Sequence, residues 1–406
     1  MHSGILQGVR KYELFSELGA YFRKFVVCTQ IGLLAEIKGC LLGMPSHPTT
    51  PPARPQYKGV ITMTTIHTVF GLGQSIWLDY ISKSLIASGG LEDWINNGVV
   101  GVTTNPSIFE NAIAKTQDYD SEISALTKAG KSTSEIYETL TLQEVGAAAD
   151  ILRPVYDKTS GKDGYVSLEV NPLLASDRDT TISEAKRLFA LLNRPNVMIK
   201  IPATPEGISA LTECIASNVN VNSTLIFSQA QYVDVANAYL EGVRRGGKAA
   251  SVASVFVSRV DTAVDKLVPP ELQGRIAVDG IKLIYQAFKE LFAGAEQIQR
   301  PLWASTGTKN PAYSDVKYID ELIGANTVNT VPPSTLQAFL DHGKPALTVE
   351  TGLAQAKDDL EKVKVFGELG VNMDEVCAKL LADGLSSFNK AFESLMSAIE
   401  KKGAKL

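Results

Sequence analysis

The sequence predicts an α/β fold, a single parallel (β/α)8 TIM barrel with an additional C-terminal helix. Three observations lead to this prediction. Eight short apolar, β-branched runs recur along the chain, a polar residue follows each run, and amphipathic helical segments separate the runs. Eight strands that alternate with helices are typical of a closed parallel barrel. An open doubly wound sheet is the alternative, because periodicity does not show closure, although no Gly-rich dinucleotide turn follows the first run.

The predicted strands occupy the chain between residue 75 and residue 331. In chain order they are residues 75–80, 99–105, 164–171, 197–203, 221–228, 252–258, 301–306 and 326–331. The amphipathic segments between them include residues 181–193, 205–217, 229–246 and 278–292. A long helical segment, roughly residues 373–401, remains after the eighth strand and is the predicted additional helix.

Residues 1–62 differ in charge from the rest of the chain. They contain seven Lys or Arg against three acidic residues, so residues 63–406 carry a net charge of −9 within an overall charge of −5. A Pro-rich stretch at residues 46–55 is typical of an extended linker. We expect residues 1–62 to be disordered or a leader without a function, with Met63 as the natural start of a cytoplasmic protein. An organelle transit peptide, and hence a plastid location, is the alternative, although the segment has only three serines.

The composition argues against several classes of function. Four cysteines are scattered without a CxxC pair, and only His67 and His342 lie beyond the first fifty residues, so we expect neither a metal centre nor a cofactor. The net charge of −5 argues against a nucleic-acid surface. The run closest to a membrane helix, residues 25–44, contains Glu36 and Lys38 and lacks the ~18 uncharged residues that a membrane span needs. The sequence leaves open whether the protein forms a homo-oligomer.

Polar residues stand at the predicted carboxyl ends of the strands, where a (β/α) barrel places its active site. They are Asp79, Thr104, Asn105, Glu169, Lys200, Asn222, Thr224, Ser254, Arg259 and Ser305. The set combines one lysine, two carboxylates and one arginine with several amides and hydroxyls, and it contains no Ser/His/Asp triad. We interpret this set as suited to carbonyl chemistry through an amine.

Lys200 is the most informative of these residues, because apolar neighbours flank it in a predicted buried strand. Burial of a charged ammonium would be costly there, and a free amine is the usual nucleophile for a Schiff base with a ketone. The alternative is a lysine that reaches solvent from a strand end. Asp79 and Glu169 also stand in hydrophobic strands, where burial raises a carboxyl pKa and favours proton transfer near neutral pH. Their alternative is a salt-bridged structural acid.

The remaining rim residues have open interpretations. Asn105, Asn222 and Thr224 could hold sugar hydroxyls, although Asn and Thr also close turns. Arg259 and Ser305, near the sixth and seventh strands, form a candidate phosphate site. The alternative for Arg259 is an ion pair with the nearby Asp261.

Five stretches, in the same order along the chain, resemble motifs of the transaldolase family. They are GVTTNPS at 101–107, SLEV at 167–170, IKIPAT at 199–204, VNSTLIFS at 221–228 and SVFVSRV at 254–260. The resemblance covers roughly residue 73 to the C terminus, and NTVNTV at 326–331 points to the longer bacterial and plant-type branch. It implies a class I enzyme, free of metal, with its Schiff-base lysine on the fourth strand, where Lys200 falls.

The resemblance also implies roles for the rim residues. Asp79 would handle the proton of the substrate C4 hydroxyl during C–C cleavage. Glu169 would act through a water, positioned by Thr224, when the imine forms and hydrolyses. The implied substrate-binding residues are Asn105, Asn222 and Ser254 for the dihydroxyacetone unit and Arg259, Ser305 and Lys309 for the phosphate. Lys309 stands, with altered spacing, where shorter relatives have a second arginine.

The implied reaction belongs to the non-oxidative pentose phosphate pathway. It transfers a dihydroxyacetone unit reversibly from sedoheptulose 7-phosphate to glyceraldehyde 3-phosphate and gives erythrose 4-phosphate and fructose 6-phosphate. One alternative is a fructose-6-phosphate aldolase, which shares the lysine and releases free dihydroxyacetone; Glu169 and Asp79 favour the transferase. Another is a non-catalytic sugar-phosphate-binding barrel, against which the intact Lys200, Asp79 and Glu169 argue.

Overall fold

The computed structural model describes residues 63–365 and 371–405. These residues belong to the second of two units, Ile61–Leu406, and the first unit is Met1–Val60. The predicted leader at residues 1–62, with its apolar run and its Pro-rich stretch, lies outside the described residues.

Eight parallel strands in the described part of the chain close into a barrel in chain order, with the first strand paired to the eighth. They are β1 (Gln74–Leu78), β2 (Gly101–Thr103), β3 (Tyr165–Glu169), β4 (Val197–Pro202), β5 (Val221–Ile226), β6 (Ser251–Phe256), β7 (Gln299–Ala304) and β8 (Thr327–Val331). All eight predicted strands are confirmed, and the open-sheet alternative is wrong because β8 pairs with β1 along five residues.

Helices surround this barrel. The helices that precede β4 are α1 (Thr65–Gly71), α2 (Lys83–Ala87), α3 (Gly90–Asn96), α4 (Pro106–Phe109), α5 (Asp120–Lys128), α6 (Thr133–Lys158) and α7 (Arg178–Leu192). Those that follow it are α8 (Pro205–Ala216), α9 (Gln229–Arg244), α10 (Ser258–Val264), α11 (Ile276–Leu291), α12 (Lys317–Asp320), α13 (Pro333–His342), α14 (Leu353–Val365) and α15 (Met373–Lys405). The four predicted amphipathic segments correspond to α7, α8, α9 and α11, and the additional C-terminal helix is α15.

The turn after β4 bends the chain sharply beside Lys200. Thr204 precedes α8, and its hydroxyl accepts a hydrogen bond of 3.0 Å from the backbone N–H of Gly207, while Pro205 takes the first helical position. A Cβ at Gly207 would lie 1.9 Å from the carbonyl oxygen of Pro202, so the close approach requires glycine. This turn therefore fixes the end of the strand that carries Lys200.

A buried ion pair fills the amino end of the barrel, opposite the rim. Arg300, near the start of β7, lies 3.1 Å (Nη1 to Oδ1) from Asp163, which precedes β3. Ser75 and Trp77 of β1 also donate hydrogen bonds to the Asp163 carboxylate. Because both charges are buried and hydrogen-bonded, this pair ties β1, β3 and β7 together where no substrate residue was predicted.

Helix α15 lies across the carboxyl end of the barrel. It contacts α4, α10 and the 3₁₀ turn Pro172–Leu174, which follow β2, β6 and β3 respectively. Its buried residues form a stripe with a spacing of three or four residues, in which Ala391 and Phe392 are neighbours: Gly384, Phe388, Ala391, Phe392, Leu395 and Ile399. Among the described residues, no helix combines the length and the apolar composition that crossing a membrane requires.

Candidate active site

Lys200 and Glu169 form the centre of the rim. The β3–β4 register places the two residues side by side, and the Lys200 Nζ lies 3.3 Å from the Glu169 Oε2. The Lys200 Nζ also donates a hydrogen bond of 3.2 Å to the carbonyl oxygen of Thr104. Only 5% of Lys200 is exposed, so the alternative of a lysine that reaches solvent is wrong.

The Glu169 carboxylate is buried and incompletely paired. Apart from the contact with Lys200, neither of its oxygens has a hydrogen-bond partner within residues 63–365 and 371–405. Burial raises the pKa of Glu169, and the positive charges of Lys200 and Arg259 oppose this shift. Because buried polar atoms normally find partners, these oxygens are suited to binding a water or a substrate hydroxyl.

Asp79 lies partly buried at the end of β1. Its backbone N–H donates a hydrogen bond of 2.9 Å to the carbonyl oxygen of Val331 in β8, and the Thr103 hydroxyl donates one of 2.7 Å to its Oδ1. Burial raises the pKa of Asp79, while Lys200, Thr103 and Lys309 lower it. Thr103 is a contributor that the sequence analysis missed.

A chain of buried hydrogen bonds crosses the barrel beside Lys200. The Ser254 hydroxyl donates to the Asn222 Oδ1 at 2.6 Å, and the Asn222 amide donates to the Ser167 hydroxyl at 3.1 Å. The structure therefore brings Asn222 and Ser254 together next to the predicted nucleophile. Asn105 instead caps α4, where its Oδ1 accepts a hydrogen bond of 3.0 Å from the Ile108 N–H. Its role in closing a turn is confirmed, and its amide NH2 has no hydrogen-bond partner among the described residues.

The end of β5 departs from regular pairing beside Thr224. The β5–β6 register shifts between Ser223 and Ile226, as in a β-bulge. The buried Leu225 has a φ of 60°, in the left-handed region that bulky residues rarely adopt, and Gln231 donates a hydrogen bond to its carbonyl oxygen. A bulge of this kind re-aims neighbouring side chains. The Thr224 hydroxyl is buried and, within the part of the chain that the structure describes, has no partner.

Arg259 is the candidate phosphate ligand with the clearest surroundings. It lies in the first turn of α10, partly buried, with its guanidinium carbon 5.0 Å from the centre of the Phe256 ring. Asp261 instead accepts hydrogen bonds from the Ala277 N–H and the Tyr318 hydroxyl, so the predicted alternative of an Arg259–Asp261 pair is wrong. No carboxylate of the described residues forms an ion pair with Arg259. Burial lowers its pKa, since the guanidinium is partly desolvated.

Ser305 follows β7 and lies next to the start of α10. Its hydroxyl is 3.0 Å from the Ser258 hydroxyl, and its carbonyl oxygen accepts a hydrogen bond of 3.1 Å from the Ser258 N–H. Its φ of 56° is left-handed, a conformation that non-glycine residues adopt mainly where the surroundings hold them. Lys309 is exposed, close enough to Asp79 to lower its pKa, and has no ion-pair partner among the described residues.

An aromatic side chain covers the nucleophile, and the sequence analysis missed it. The Lys200 Nζ lies 5.6 Å from the centre of the Phe388 ring, which α15 brings over the rim. Residue 388 is far from the rim residues in sequence, so no motif could indicate this contact. Residues 63–365 and 371–405 contain no cluster of three or more His, Cys, Asp or Glu that could hold a metal ion.

The fold and the rim define a class of protein. It is a (β/α)8 barrel whose active-site end combines a buried amine, two acids with raised pKa values and an arginine that forms no ion pair with another described residue. This combination is suited to amine-based carbonyl chemistry on an anionic substrate.

Known proteins with similar sequences place the chain more closely. It matches the model of the Transaldolase/Fructose-6-phosphate aldolase family over residues 76–399. It is 44% identical to the transaldolase of Trichodesmium erythraeum, over 85% of this chain and 99% of that protein. It is 45% identical to transaldolase 1 of Streptomyces avermitilis, over 83% and 95%, and 42% identical to the transaldolase of Neisseria gonorrhoeae, over 83% and 100%.

The chain therefore belongs to the transaldolase/fructose-6-phosphate aldolase family. It is an enzyme with transaldolase function that acts on sugar phosphates.

Proposed function

We propose that this enzyme transfers a dihydroxyacetone unit from sedoheptulose 7-phosphate to glyceraldehyde 3-phosphate through a Schiff base on Lys200. The observation that carries the proposal is the buried Lys200 amine on β4, with the buried Glu169 carboxylate 3.3 Å away. A neighbouring base is the usual means of activating an amine and of moving the protons that imine formation requires.

Imine formation is assigned to Lys200, Glu169 and Thr224. The amine attacks the substrate C2 carbonyl, the N–C2 bond forms, and the carbonyl oxygen leaves as water. Glu169 would transfer the protons through a water held by Thr224. The support for this water is that, among the described residues and apart from the Lys200 contact, the buried Glu169 oxygens and the buried Thr224 hydroxyl have no hydrogen-bond partner.

Cleavage is assigned to Asp79. Its carboxylate would accept the proton of the C4 hydroxyl, the C3–C4 bond would break, and its electron pair would move into the iminium to leave an enamine on Lys200. The aldehyde product then departs. Transfer is the reverse: enamine C3 attacks the acceptor aldehyde, and Asp79 returns the proton to the new hydroxyl. The raised pKa of Asp79 suits a group that exchanges a proton near neutral pH.

Substrate binding is assigned to two groups of residues. Asn222 and Ser254, joined by a hydrogen bond, would hold the hydroxyls of the dihydroxyacetone unit, together with the Asn105 amide. Arg259 and Ser305 would bind the phosphate, because Arg259 lacks an internal ion-pair partner among the described residues and guanidinium groups bind phosphate strongly. Lys309 is an additional phosphate ligand in this proposal.

Borohydride trapping tests the proposed nucleophile. Reduction in the presence of fructose 6-phosphate should attach a reduced three-carbon unit to the peptide that contains Lys200 and abolish activity. The Lys200→Met variant should be neither active nor labelled. In Lys309→Met, a matched control at the other rim lysine, Lys200 should still be labelled. Label on a different lysine, or none, would contradict the mechanism.

We also propose a cytoplasmic location. The four scattered cysteines, which show no pairing pattern in the sequence, support a reducing compartment. Imaging of the full chain with a C-terminal fluorescent tag tests this location, and plastid fluorescence would favour the transit-peptide interpretation of residues 1–62. We also propose that the protein forms a homo-oligomer. Light scattering, which measures the molar mass in solution, tests this.

A further inference from the structure

One face of α15 contacts two cationic groups of the site, Lys200 and Arg259. Gly384 and Phe388 are four residues apart, so they lie one above the other on the same helix face. Gly384 lies against Leu225 and Arg259, and Phe388 lies against Lys200. This face of α15 is therefore a wall of the substrate site as well as a packing surface.

The position of Gly384 shows how closely α15 approaches the rim. A Cβ at this position would lie 3.0 Å from the Leu225 Cδ2 and 3.3 Å from the Arg259 Nη1. Leu225 is the residue with a left-handed backbone at the β5 bulge, next to Thr224. The close approach therefore seats α15 on the part of the rim that orients Thr224 and Arg259.

Phe388 supplies an apolar surface where the other neighbours of Lys200 are polar. Glu169 and the carbonyl oxygen of Thr104 contact the Lys200 Nζ, whereas the Phe388 ring lies 5.6 Å from it. Only 3% of Phe388 is exposed, so the ring fills space that water would otherwise occupy.

The enamine on Lys200 has two fates, and water decides between them. In transfer, C3 of the enamine forms a bond to the acceptor aldehyde. In release, C3 takes a proton, a water oxygen adds to C2 with loss of a proton, and the C2–N bond breaks. Release consumes one water and yields free dihydroxyacetone and the free amine. An apolar cover over this site disfavours release, because it keeps away the bulk water that would protonate C3 before the acceptor aldehyde arrives.

We propose that Phe388 is a positioning residue that keeps bulk water away from the Lys200 imine and so favours transfer over release. The inference rests on the proposed function, since it concerns the intermediate on Lys200. The single water assigned to Glu169 and Thr224 would remain for the imine steps. Phe388 itself exchanges no proton and forms no bond.

The test is a graded series, Phe388→Leu, Phe388→Val and Phe388→Ala. For each variant, free dihydroxyacetone released from fructose 6-phosphate is compared with transfer to glyceraldehyde 3-phosphate. The ratio of release to transfer should increase as the side chain shrinks. We expect Phe388→Leu to stay near the unchanged chain, because leucine is still an apolar cover, and Phe388→Ala to increase the ratio about tenfold. If Phe388→Ala is insoluble, Phe388→Val serves in its place.

Leu395→Ala is the matched control. Leu395 is fully buried on the same helix, two turns beyond Phe388, and its truncation loosens α15 without uncovering Lys200. Its ratio of release to transfer should stay unchanged. An unchanged ratio in soluble Phe388→Ala or Phe388→Val, or an equal increase in Leu395→Ala, would overturn the inference. Failure to trap Lys200 in the unchanged chain would instead contradict the proposed function and remove the basis of the inference.

Discussion

At the scale of single residues, two opposing effects set the pKa values of Glu169 and Asp79: burial and the charge of Lys200. Burial raises the pKa of both carboxyls, and the Lys200 charge lowers it. Burial is the larger effect for each, so both acids should titrate above the usual carboxyl range. The barrel thereby places two carboxyls with raised pKa values beside one amine, an arrangement suited to general acid–base catalysis.

The two acids should fail at different steps when their charge is removed. Glu169→Gln and Asp79→Asn should each reduce turnover roughly 10²-fold or more, the usual scale for loss of an acid–base group. In Asp79→Asn, borohydride should still trap the imine of the uncleaved substrate, because cleavage is the step that stalls. In Glu169→Gln, imine formation itself should be slow in a rapid-quench experiment. Normal cleavage in Asp79→Asn would show that its assigned role is wrong.

Thr103 should shift the pH dependence through Asp79. Its hydroxyl donates a hydrogen bond to the carboxylate and so lowers the pKa of Asp79. Thr103→Val removes this donor, which raises that pKa further. Because Asp79 must be ionised to accept a proton, the acidic limb of the kcat/KM profile should move to higher pH.

Thr104→Val is the comparison for this pH measurement. The Thr104 hydroxyl donates to the Ser167 carbonyl oxygen and not to Asp79. This variant should therefore leave the position of the acidic limb in place. A profile that shifts equally in both variants would disconnect the limb from the Thr103–Asp79 hydrogen bond.

At the scale of elements, the strands were predictable because burial on both faces of a parallel sheet demands apolar, β-branched runs. The same pattern identifies an acid or a lysine inside such a run, as at Glu169 and Lys200. The register of β3 against β4 then makes the two residues neighbours. Local sequence was sufficient here, since the strand and its functional residue occupy the same few positions.

Contacts made across the fold were not predictable in this way. Phe388 belongs to an apolar stripe along α15. Such a stripe predicts only that the helix packs against another part of the protein. That the stripe covers Lys200 depends on how α15 crosses the barrel, which periodicity does not encode. The sequence does not single out Thr103, because the neighbouring Thr104 also stands at the predicted end of that strand. For Arg259, closeness in sequence left an ion pair with Asp261 as the alternative, but the Asp261 carboxylate accepts its hydrogen bonds from Ala277 and Tyr318.

The ion pair between Arg300 and Asp163 at the amino end of the barrel should stabilise the fold. Asp163→Ala leaves the Arg300 charge buried without its partner, which should reduce the free energy of unfolding by about 3–5 kcal/mol. The surface pair between Glu138 and Arg187 is the control, and Glu138→Ala should reduce the free energy of unfolding by only ~0–1 kcal/mol. Urea denaturation of the two variants measures the difference. Similar losses would mean that the barrel tolerates an unpaired Arg300.

At the scale of the whole molecule, catalysis should not depend on a divalent metal. In the proposed mechanism the protonated imine on Lys200 accepts the electron pair of the C3–C4 bond, so no metal ion is needed to accept it. Activity should therefore survive dialysis against EDTA, measured against a parallel sample dialysed without chelator. Loss of activity that zinc restores would contradict the class I assignment.

Residues 1–62 should be dispensable for catalysis. The segment is basic on an otherwise acidic chain and carries a Pro-rich stretch, so we expect it to add little to the barrel. A chain that begins at Met63 should keep its turnover number and its melting temperature. An insoluble or inactive shortened chain would indicate instead that residues 25–44 pack against the barrel.

The position of α15 in the chain also has a consequence for biosynthesis. The ribosome makes β1 to β8 first, so Asp79, Glu169 and Lys200 can reach their places once residue 331 has emerged. The cover over Lys200 comes from residue 388, which emerges later. A nascent chain at this stage has the reactive groups without the wall. If Phe388 has the proposed role, the chain favours transfer of the dihydroxyacetone unit over its release only after α15 has left the exit tunnel and docked.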